Sequence, residues 1–292
     1  MTGVGVPGFE RDEVEDDGEI QFIGSRPALA DMEMSGGEDR SARLLLLHYH
    51  VFKNAGSSFD ETLRQSFEGN WTEREFTPSA KASNVAEIEA FLAGHPHLQA
   101  LSSHTALLPL PQVEGVEIFP VFFVRHPILR LQSAYRFESR QNADTFGSRL
   151  ARRTDFAGYV QGLFEVGNNR QVRDFHAHRL AFGDSAGATE AERAFRTLRS
   201  LPFVGLVEAY DESLRRLEAL LRSRLPQFRP AFVRKNVTSV RDDLSMSEQL
   251  AEIRAELGDD LYLRVEANNL TDLRIFEMVA ARYAVEPPPA SI

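Results

Sequence analysis

His50-Val51-Phe52-Lys53-Asn54-Ala55-Gly56-Ser57-Ser58-Phe59 comes two residues after Leu44 to Leu47, in the apolar run that continues to Val51. A continuous apolar segment without alternation is the pattern of a strand buried on both faces, as in a parallel sheet. The lysine and the small residues after it turn the chain into a helical stretch from Ser57 to Phe67. Strand, turn and helix in this order bring the free N–H groups of a helix's first turn, two hydroxyls and an ammonium to the end of a strand. That is an anion cradle suited to phosphate or sulfate. The spacing departs from the Walker loop, because Lys53 precedes Gly56-Ser57-Ser58 instead of standing immediately before a helix Ser or Thr. A nucleotide triphosphatase is thereby disfavoured. The same residues also fit a plain strand-turn-helix corner with Ser57 as N-cap.

Further along, Ile118 to Val124 reads as a second buried strand, passing through Arg125-His126-Pro127 into a helix with Leu129, Leu131, Ala134 and Tyr135 on its apolar face. Arg125 stands where the strand ends, and Ser133 lies about two turns into the helix. A guanidinium fork with a hydroxyl can hold a second phosphate apart from the first. Equally, Arg125 can cap a sheet edge and Ser133 can pack a helix. Apolar spacing predicts further helices at Asn84 to Ala93, Asp155 to Val166, Asn169 to Phe182, Thr189 to Leu198, Asp211 to Arg224, about Ser247 to Leu257, and Asp259 to Tyr283. Short strands are predicted at Leu98 to Ser102 and Phe203 to Val207. Strands alternating with helices predict an α/β fold with a mainly parallel sheet, whose ligands sit at the carboxyl ends of the strands.

The 292 residues are 42% hydrophobic and 26% charged, the composition of a globular chain and not of a fibre or a wholly disordered one. No run approaches the roughly 18 to 20 apolar residues that span a bilayer, and the N-terminus lacks the basic and apolar regions of a secretory signal. With no cysteine, disulfides, thiolate nucleophiles, cysteine-ligated zinc and iron–sulfur clusters are excluded, and a cytoplasmic location is expected. The net charge of -10 is unevenly spread: residues 1–40 hold 11 acidic residues and three arginines, leaving 32 acidic against 30 basic residues beyond. Residues 1–40 are therefore expected to be a disordered acidic tail, residues 41–285 the folded domain, and residues 286–292, opening with Glu286-Pro287-Pro288-Pro289, a frayed end. No chain-wide basic footprint for nucleic acid exists, though a local cationic cleft is allowed.

Together the Lys53 and Arg125 segments resemble the two cofactor motifs of sulfotransferases that use 3′-phosphoadenosine 5′-phosphosulfate (PAPS), most closely the branch containing the heparan sulfate 6-O- and 2-O-sulfotransferases. In that family a strand-loop-helix with lysine binds the 5′-phosphosulfate, and a strand-Arg-helix with serine binds the 3′-phosphate. The first motif there runs like His-Ile-Gln-Lys-Thr-Gly-Gly-Thr-Thr. Lys53, Gly56, Ser57 and Ser58 carry over, whereas Asn54 and Ala55 replace the Thr and the first Gly. In the second motif His126 replaces the usual Asp of Arg-Asp-Pro. Asn168-Asn169-Arg170-Gln171-Val172-Arg173 resembles a segment of the 6-O-sulfotransferases, and Phe203-Val204-Gly205-Leu206-Val207-Glu208 their Phe-Phe-Gly-Leu-Thr-Glu strand. Phe228-Arg229-Pro230 with Asn236-Val237-Thr238 is similar to a late segment that closes over the nucleotide.

The resemblance implies a P-loop-like three-layer sandwich, PAPS as co-substrate without a metal, and sulfuryl transfer to a hydroxyl of an oligosaccharide, polysaccharide or glycolipid. It implies that Lys53, Asn54, Ala55, Gly56, Ser57 and Ser58 hold the 5′ end of the nucleotide and that Arg125 and Ser133 hold its 3′-phosphate. Arg234, Lys235, Asn236 and Thr238 would close the nucleotide site or guide an anionic acceptor. His104, in Leu101-Ser102-Ser103-His104-Thr105 at the end of a predicted strand, resembles the family's general base, and a neutral imidazole can accept a hydroxyl proton near pH 7. Lys53 would neutralise charge building on the bridging oxygen. His48 and His50 alternate on the first strand and with His104 could be read as metal ligands, but no Cys or tight His/Asp/Glu spacing supports a metal. His95, His97, His176 and His178 stand in no comparable context. Peripheral membrane association is compatible with this reading; nucleic acid is not an expected partner. Two rivals share the cradle: a phosphoryl transferase (kinase), which needs a Mg²⁺-binding Asp or Glu near a strand end, and a non-catalytic nucleotide- or glycan-binding module.

Overall fold

Leu45, Leu46 and Leu47 are fully buried at the centre of the sheet, each side chain contributing about 1.5–3 kcal/mol by leaving water. They belong to β1 (Arg43–Tyr49) of a computed structural model that describes residues 42–77, 81–187, 189–232 and 244–285. In chain order follow α1 (Gly56–Ser66), β2 (Trp71–Glu73), α2 (Lys81–Gly94), β3 (Ala100–Ser103), β4 (Val116–Val124), α3 (Pro127–Glu138), α4 (Phe146–Ala151) and α5 (Phe156–Glu165). Then come α6 (Phe175–Leu180), α7 (Glu190–Ser200), β5 (Val204–Leu206), α8 (Tyr210–Leu221), α9 (Met246–Leu257), α10 (Asp259–Ala267) and α11 (Leu270–Val285). The expected acidic tail at 1–40 and the end at 286–292 lie outside the described residues.

The strands form a parallel sheet in the order β2-β3-β1-β4-β5. Helices cover both faces, and this explains the unbroken leucine run of β1, whose successive side chains point to opposite sides. Leu44 and Leu46 pack with Phe59 and Leu63 of α1 and Leu214 and Leu217 of α8. Leu45 and Leu47 pack with Ile88 and Leu92 of α2, Leu198 of α7 and Ile275 of α11. The result is the expected α/β three-layer sandwich. A further helical cluster joins α3, α5, α9 and α10 through Leu131, Tyr159, Ile253 and Val265. Among the described residues no helix is long and apolar enough to cross a membrane.

After β1 the chain moves towards β2, and after β4 towards β5, on opposite sides of the sheet. The carboxyl ends of β1 and β4 therefore flank the point where strand order reverses, the usual ligand crevice of such sheets.

Two predicted helices are broken. The stretch Asn169 to Phe182 begins as a single 3₁₀ turn, Arg170–Val172, capped by Asn169; α6 starts only at Phe175, after Asp174 has taken a left-handed backbone with φ 38°. That break is held from the far end of the chain: the Asp174 carboxylate accepts from the Thr271 hydroxyl and the Asp272 N–H. The stretch Asp259 to Tyr283 divides at Asn268 and Asn269 into α10 and α11, because the buried Asn269 amide donates to the carbonyls of Val172 and Val265. The short elements β2 and α4 were not predicted, as neither carries enough apolar periodicity to register.

Candidate functional site

The turn after β1 is strained and tied down. Lys53 and Ala55 adopt left-handed backbone conformations, φ 64° and 61°, which in non-glycine residues cost on the order of 1–3 kcal/mol each. Asn54 between them is buried, and its side-chain amide meets Nε2 of His176 at 3.1 Å. The backbone N–H and Nδ1 of His176 both lie 2.9 Å from Oδ2 of Asp272, whose other oxygen accepts the Ala177 N–H at 2.8 Å. His176 and Asp272 are fully buried. Burial alone would raise the Asp272 carboxyl; its interactions with His176 and these backbone N–H groups outweigh that and hold it below its ordinary value. His176, with no context in the sequence, thus proves to be a support of the Lys53 loop.

Helix α1 opens at Gly56 with Ala55 as N-cap and no side-chain cap, so Ser57, the N-cap of the alternative reading as a plain corner, already lies in the first turn. The Ala55 carbonyl accepts the N–H groups of Ser58 and Phe59 at 3.0 and 3.1 Å. The first-turn N–H groups of Gly56 and Ser57 have no acceptor within the helix. Ser57 is exposed and Ser58 buried. Gly56 sits hard against the His50 ring, where a Cβ would collide with ring atoms.

The two loops touch. Arg125, just past β4, donates from Nη1 to the Lys53 carbonyl at 3.2 Å, and the Lys53 ammonium lies 4.5 Å over the ring of Phe137 on α3. Lys53 and Arg125, two of the predicted phosphate-binding residues, thus meet directly, and Ser133, one turn before Phe137, lies on the same face of α3 as that ring. Burial, and then the nearby Arg125 charge, depress the Lys53 ammonium. Burial likewise lowers Arg125, opposed by Glu208 and reinforced by Arg136. Two partly desolvated cations beside N–H groups that have no acceptor within the helix make a site suited to an anionic group. His126 turns away from it: its N–H donates to Glu208 Oε1 at 3.0 Å and its ring meets Phe276 edge-on at 5.0 Å. Burial, with Arg125 adding, pushes His126 down to about 4.

The other segments of resemblance pack elsewhere around the sheet. Fully buried Arg130 of α3 donates to Oε1 and the carbonyl of Gln171 at 2.7 and 2.5 Å and stacks over Phe175. Arg170 pairs with Glu190 through two contacts of 2.6 and 3.0 Å. Gly205 lets β5 approach the Phe123 ring, which any Cβ would strike. The Arg229 N–H donates to Ser66 Oγ at 2.9 Å, laying that segment along α1. Arg234, Lys235, Asn236 and Thr238 lie outside the described residues.

His104 follows β3 at the same carboxyl edge. Its Nδ1 is 2.8 Å from Oε1 of Glu75 and 3.8 Å from Oε1 of Glu73, and its ring stacks on His50 at 3.8 Å with planes 26° apart. His50 Nδ1 is 2.8 Å from Asp60 Oδ2, while Asp60 Oδ1 meets His48 Nδ1 at 2.9 Å and accepts the Ser102 hydroxyl at 2.6 Å. Burial would raise Asp60, but the hydrogen bonds and charges of the two histidines outweigh it and hold the carboxyl far below the usual range. Burial lowers His48. A cleft beside the stacked rings is lined by Tyr49, Ser103, Leu107 and Arg179. The structure does bring together the acidic and histidine side chains that the sequence spacing did not: His48, His50 and Asp60, and again His50, Glu73 and His104, have ligand-type atoms within 4.8 Å of one another. Asp60, Glu73 and Glu75 were not singled out from sequence; an acidic residue every second position after Trp71 was the available signal.

No family model matches the chain. It is similar to an uncharacterized protein of Archaeoglobus fulgidus, 36% identical over 249 residues that span 82% of this chain and 98% of that protein.

Proposed function

The chain belongs to one family with that archaeal protein, and we propose that its reaction is PAPS-dependent sulfation of a hydroxyl on a carbohydrate-type acceptor. The observation that carries the reading is the direct contact of Arg125 with the Lys53 loop at the β1/β4 crevice, with His104 at the end of β3, the strand on the other side of β1. Two cationic anion-holders and one imidazole at neighbouring strand ends are the parts that in-line sulfuryl transfer from a bisphosphate carrier needs.

On this reading Gly56, Ser57 and Ser58 hold the 5′ end of PAPS, and Arg125 and Ser133 its 3′-phosphate. The acceptor oxygen bonds to sulfur as the bond from sulfur to the bridging phosphate oxygen breaks, adenosine 3′,5′-bisphosphate leaves, and the hydroxyl proton passes to His104. Lys53 offsets the charge that collects on the departing oxygen, an interaction stronger in the transition state than in the ground state and therefore catalytic. The acceptor is an oligosaccharide, polysaccharide or glycolipid met in the cytoplasm, with peripheral association where it lies at a membrane. The test is transfer of radiolabelled sulfate from PAPS across a panel of acidic and neutral glycans and glycolipids. Labelled product that disappears in the His104→Ala protein supports the reading; a panel without labelled product, from protein that binds PAPS, leaves a nucleotide-binding module.

A further inference from the structure

We infer that Glu75 is the positioning residue that fixes the His104 tautomer, keeping the proton on Nδ1 and presenting Nε2 to the acceptor. This rests on the sulfuryl-transfer reading for the proton assigned to Nε2, but the tautomer itself follows from geometry. An ionised carboxylate only accepts hydrogen bonds, so the 2.8 Å contact between Glu75 Oε1 and His104 Nδ1 requires hydrogen on Nδ1. A neutral imidazole then carries its lone pair on Nε2. Burial would raise Glu75, yet hydrogen bonds from Thr105 and His104 outweigh it and keep the carboxyl below its ordinary value.

The same carboxylate also grips the backbone that bears the ring. Oε1 accepts the His104 N–H at 3.2 Å, and Oε2 is 3.4 Å from the Ser103 hydroxyl. Glu75 is held for this by the chain continuing past β2: the Arg74 N–H donates to the Ser102 carbonyl at 3.0 Å and the Phe76 N–H to Thr105 Oγ1 at 2.6 Å. Other titratable groups surround the His104 ring, with His48 behind His50 close enough to feel its charge. His50 offers its face, with planes 26° apart, so it makes no in-plane bond to either nitrogen. Glu73, at 3.8 Å, is beyond hydrogen-bond reach. Arg179, across the cleft, has no lone pair to compete for the Nδ1 proton. The arrangement follows the logic by which a carboxylate orients the histidine of a hydrolase triad without taking its proton.

The experiment reads the ring nitrogens of His104 by ¹⁵N NMR in the full-length protein, without nucleotide, at mildly alkaline pH. Wild type is expected to show one tautomer, hydrogen on Nδ1. Glu75→Gln keeps the shape but can donate as well as accept, and Glu75→Ala frees the ring; both should shift the population towards hydrogen on Nε2. Turnover with PAPS should fall by about 10- to 10⁴-fold while affinity for adenosine 3′,5′-bisphosphate is unchanged. Glu73→Gln should leave both readouts as in wild type. Identical nitrogen shifts in wild type and both Glu75 variants, or the shift arising from Glu73→Gln instead, overturn the assignment. Failure of the wild-type protein to use PAPS would count against the proposed reaction and leave the nitrogen shifts to decide the role of Glu75.

Discussion

Replacing Arg125 with alanine tests whether the crevice recognises two phosphates, and the structure states how to read the result. On the sulfuryl-transfer reading Arg125 has two roles that the substitution removes together: the contact to a 3′-phosphate, and the 3.2 Å bond to the Lys53 carbonyl. Losing that charge-assisted bond costs about 1.5–3 kcal/mol of loop order, and losing the Arg125 charge relieves the smaller part of the depression of Lys53, the part beyond burial. Both effects act on the 5′ end and so apply alike to adenosine 3′,5′-bisphosphate and to AMP. The charge-assisted contact to the 3′-phosphate, about 1.5–3 kcal/mol, applies to the bisphosphate alone. The ratio of the two affinities therefore isolates it, and at 1.4 kcal/mol per decade Arg125→Ala should lower the preference for the bisphosphate by about 10- to 150-fold. Titration calorimetry of both nucleotides against both proteins at one fixed ionic strength makes the measurement. An unchanged ratio, or a wild-type protein that binds the two equally, refutes the two-phosphate crevice.

Three further outcomes are expected. His104→Ala should lose about 10² to 10⁴ in turnover with PAPS affinity nearly unchanged, whereas Lys53→Ala should lose both, read by cofactor titration beside initial rates. Gly56→Ala should weaken nucleotide binding and displace His50 from Asp60 and His104, because its Cβ meets the His50 ring; calorimetry and the His50 NMR signals check the two parts. His126, held near 4 when folded against about 6.5 unfolded, takes up fewer protons in the native state. Its contribution is intact above the unfolded value and is lost as pH falls from there towards 4. Urea melts at pH 7 and pH 5 should differ by about 2 kcal/mol more in wild type than in His126→Asn.

What could be read in advance depended on how locally each feature is specified. The strands β1 and β4 are buried on both faces, so their apolar runs announce themselves, and the loops that leave them bear Lys53 and Arg125 at the ends where ligands bind. Edge strand β2 is three residues long, Trp71-Thr72-Glu73, with the last exposed; nothing in its composition separates it from a loop, and Glu75 just beyond it went unread. The break before α6 has no glycine to mark it. Asp174 accepts a left-handed backbone because α11 supplies two donors to its carboxylate, a tertiary cause that no window of sequence contains. The Asn268-Asn269 pair was visible, and asparagine at a helix end is a recognised stop; continuous apolar spacing on either side masked it.

The most distributed of these features is the support beneath the Lys53 loop. Two left-handed non-glycine residues in three positions persist only where their surroundings over-determine them, and here the determinants come from three places in the chain. Ala55 is fixed by the turn of α1 that it begins, Lys53 by Arg125 from the end of β4, and Asn54 by His176, itself clamped by Asp272 of α11. The last two links join residues 122 and 96 positions apart. The cradle at the end of the first strand is therefore complete only when the last helix has docked. Its shape reports on the whole domain, and the departure from a paired-glycine loop becomes intelligible. Glycines would adopt this backbone without strain, but they would carry no Asn54 side chain to anchor, so this chain holds by tertiary contact a conformation that a glycine-rich loop reaches by freedom of the backbone.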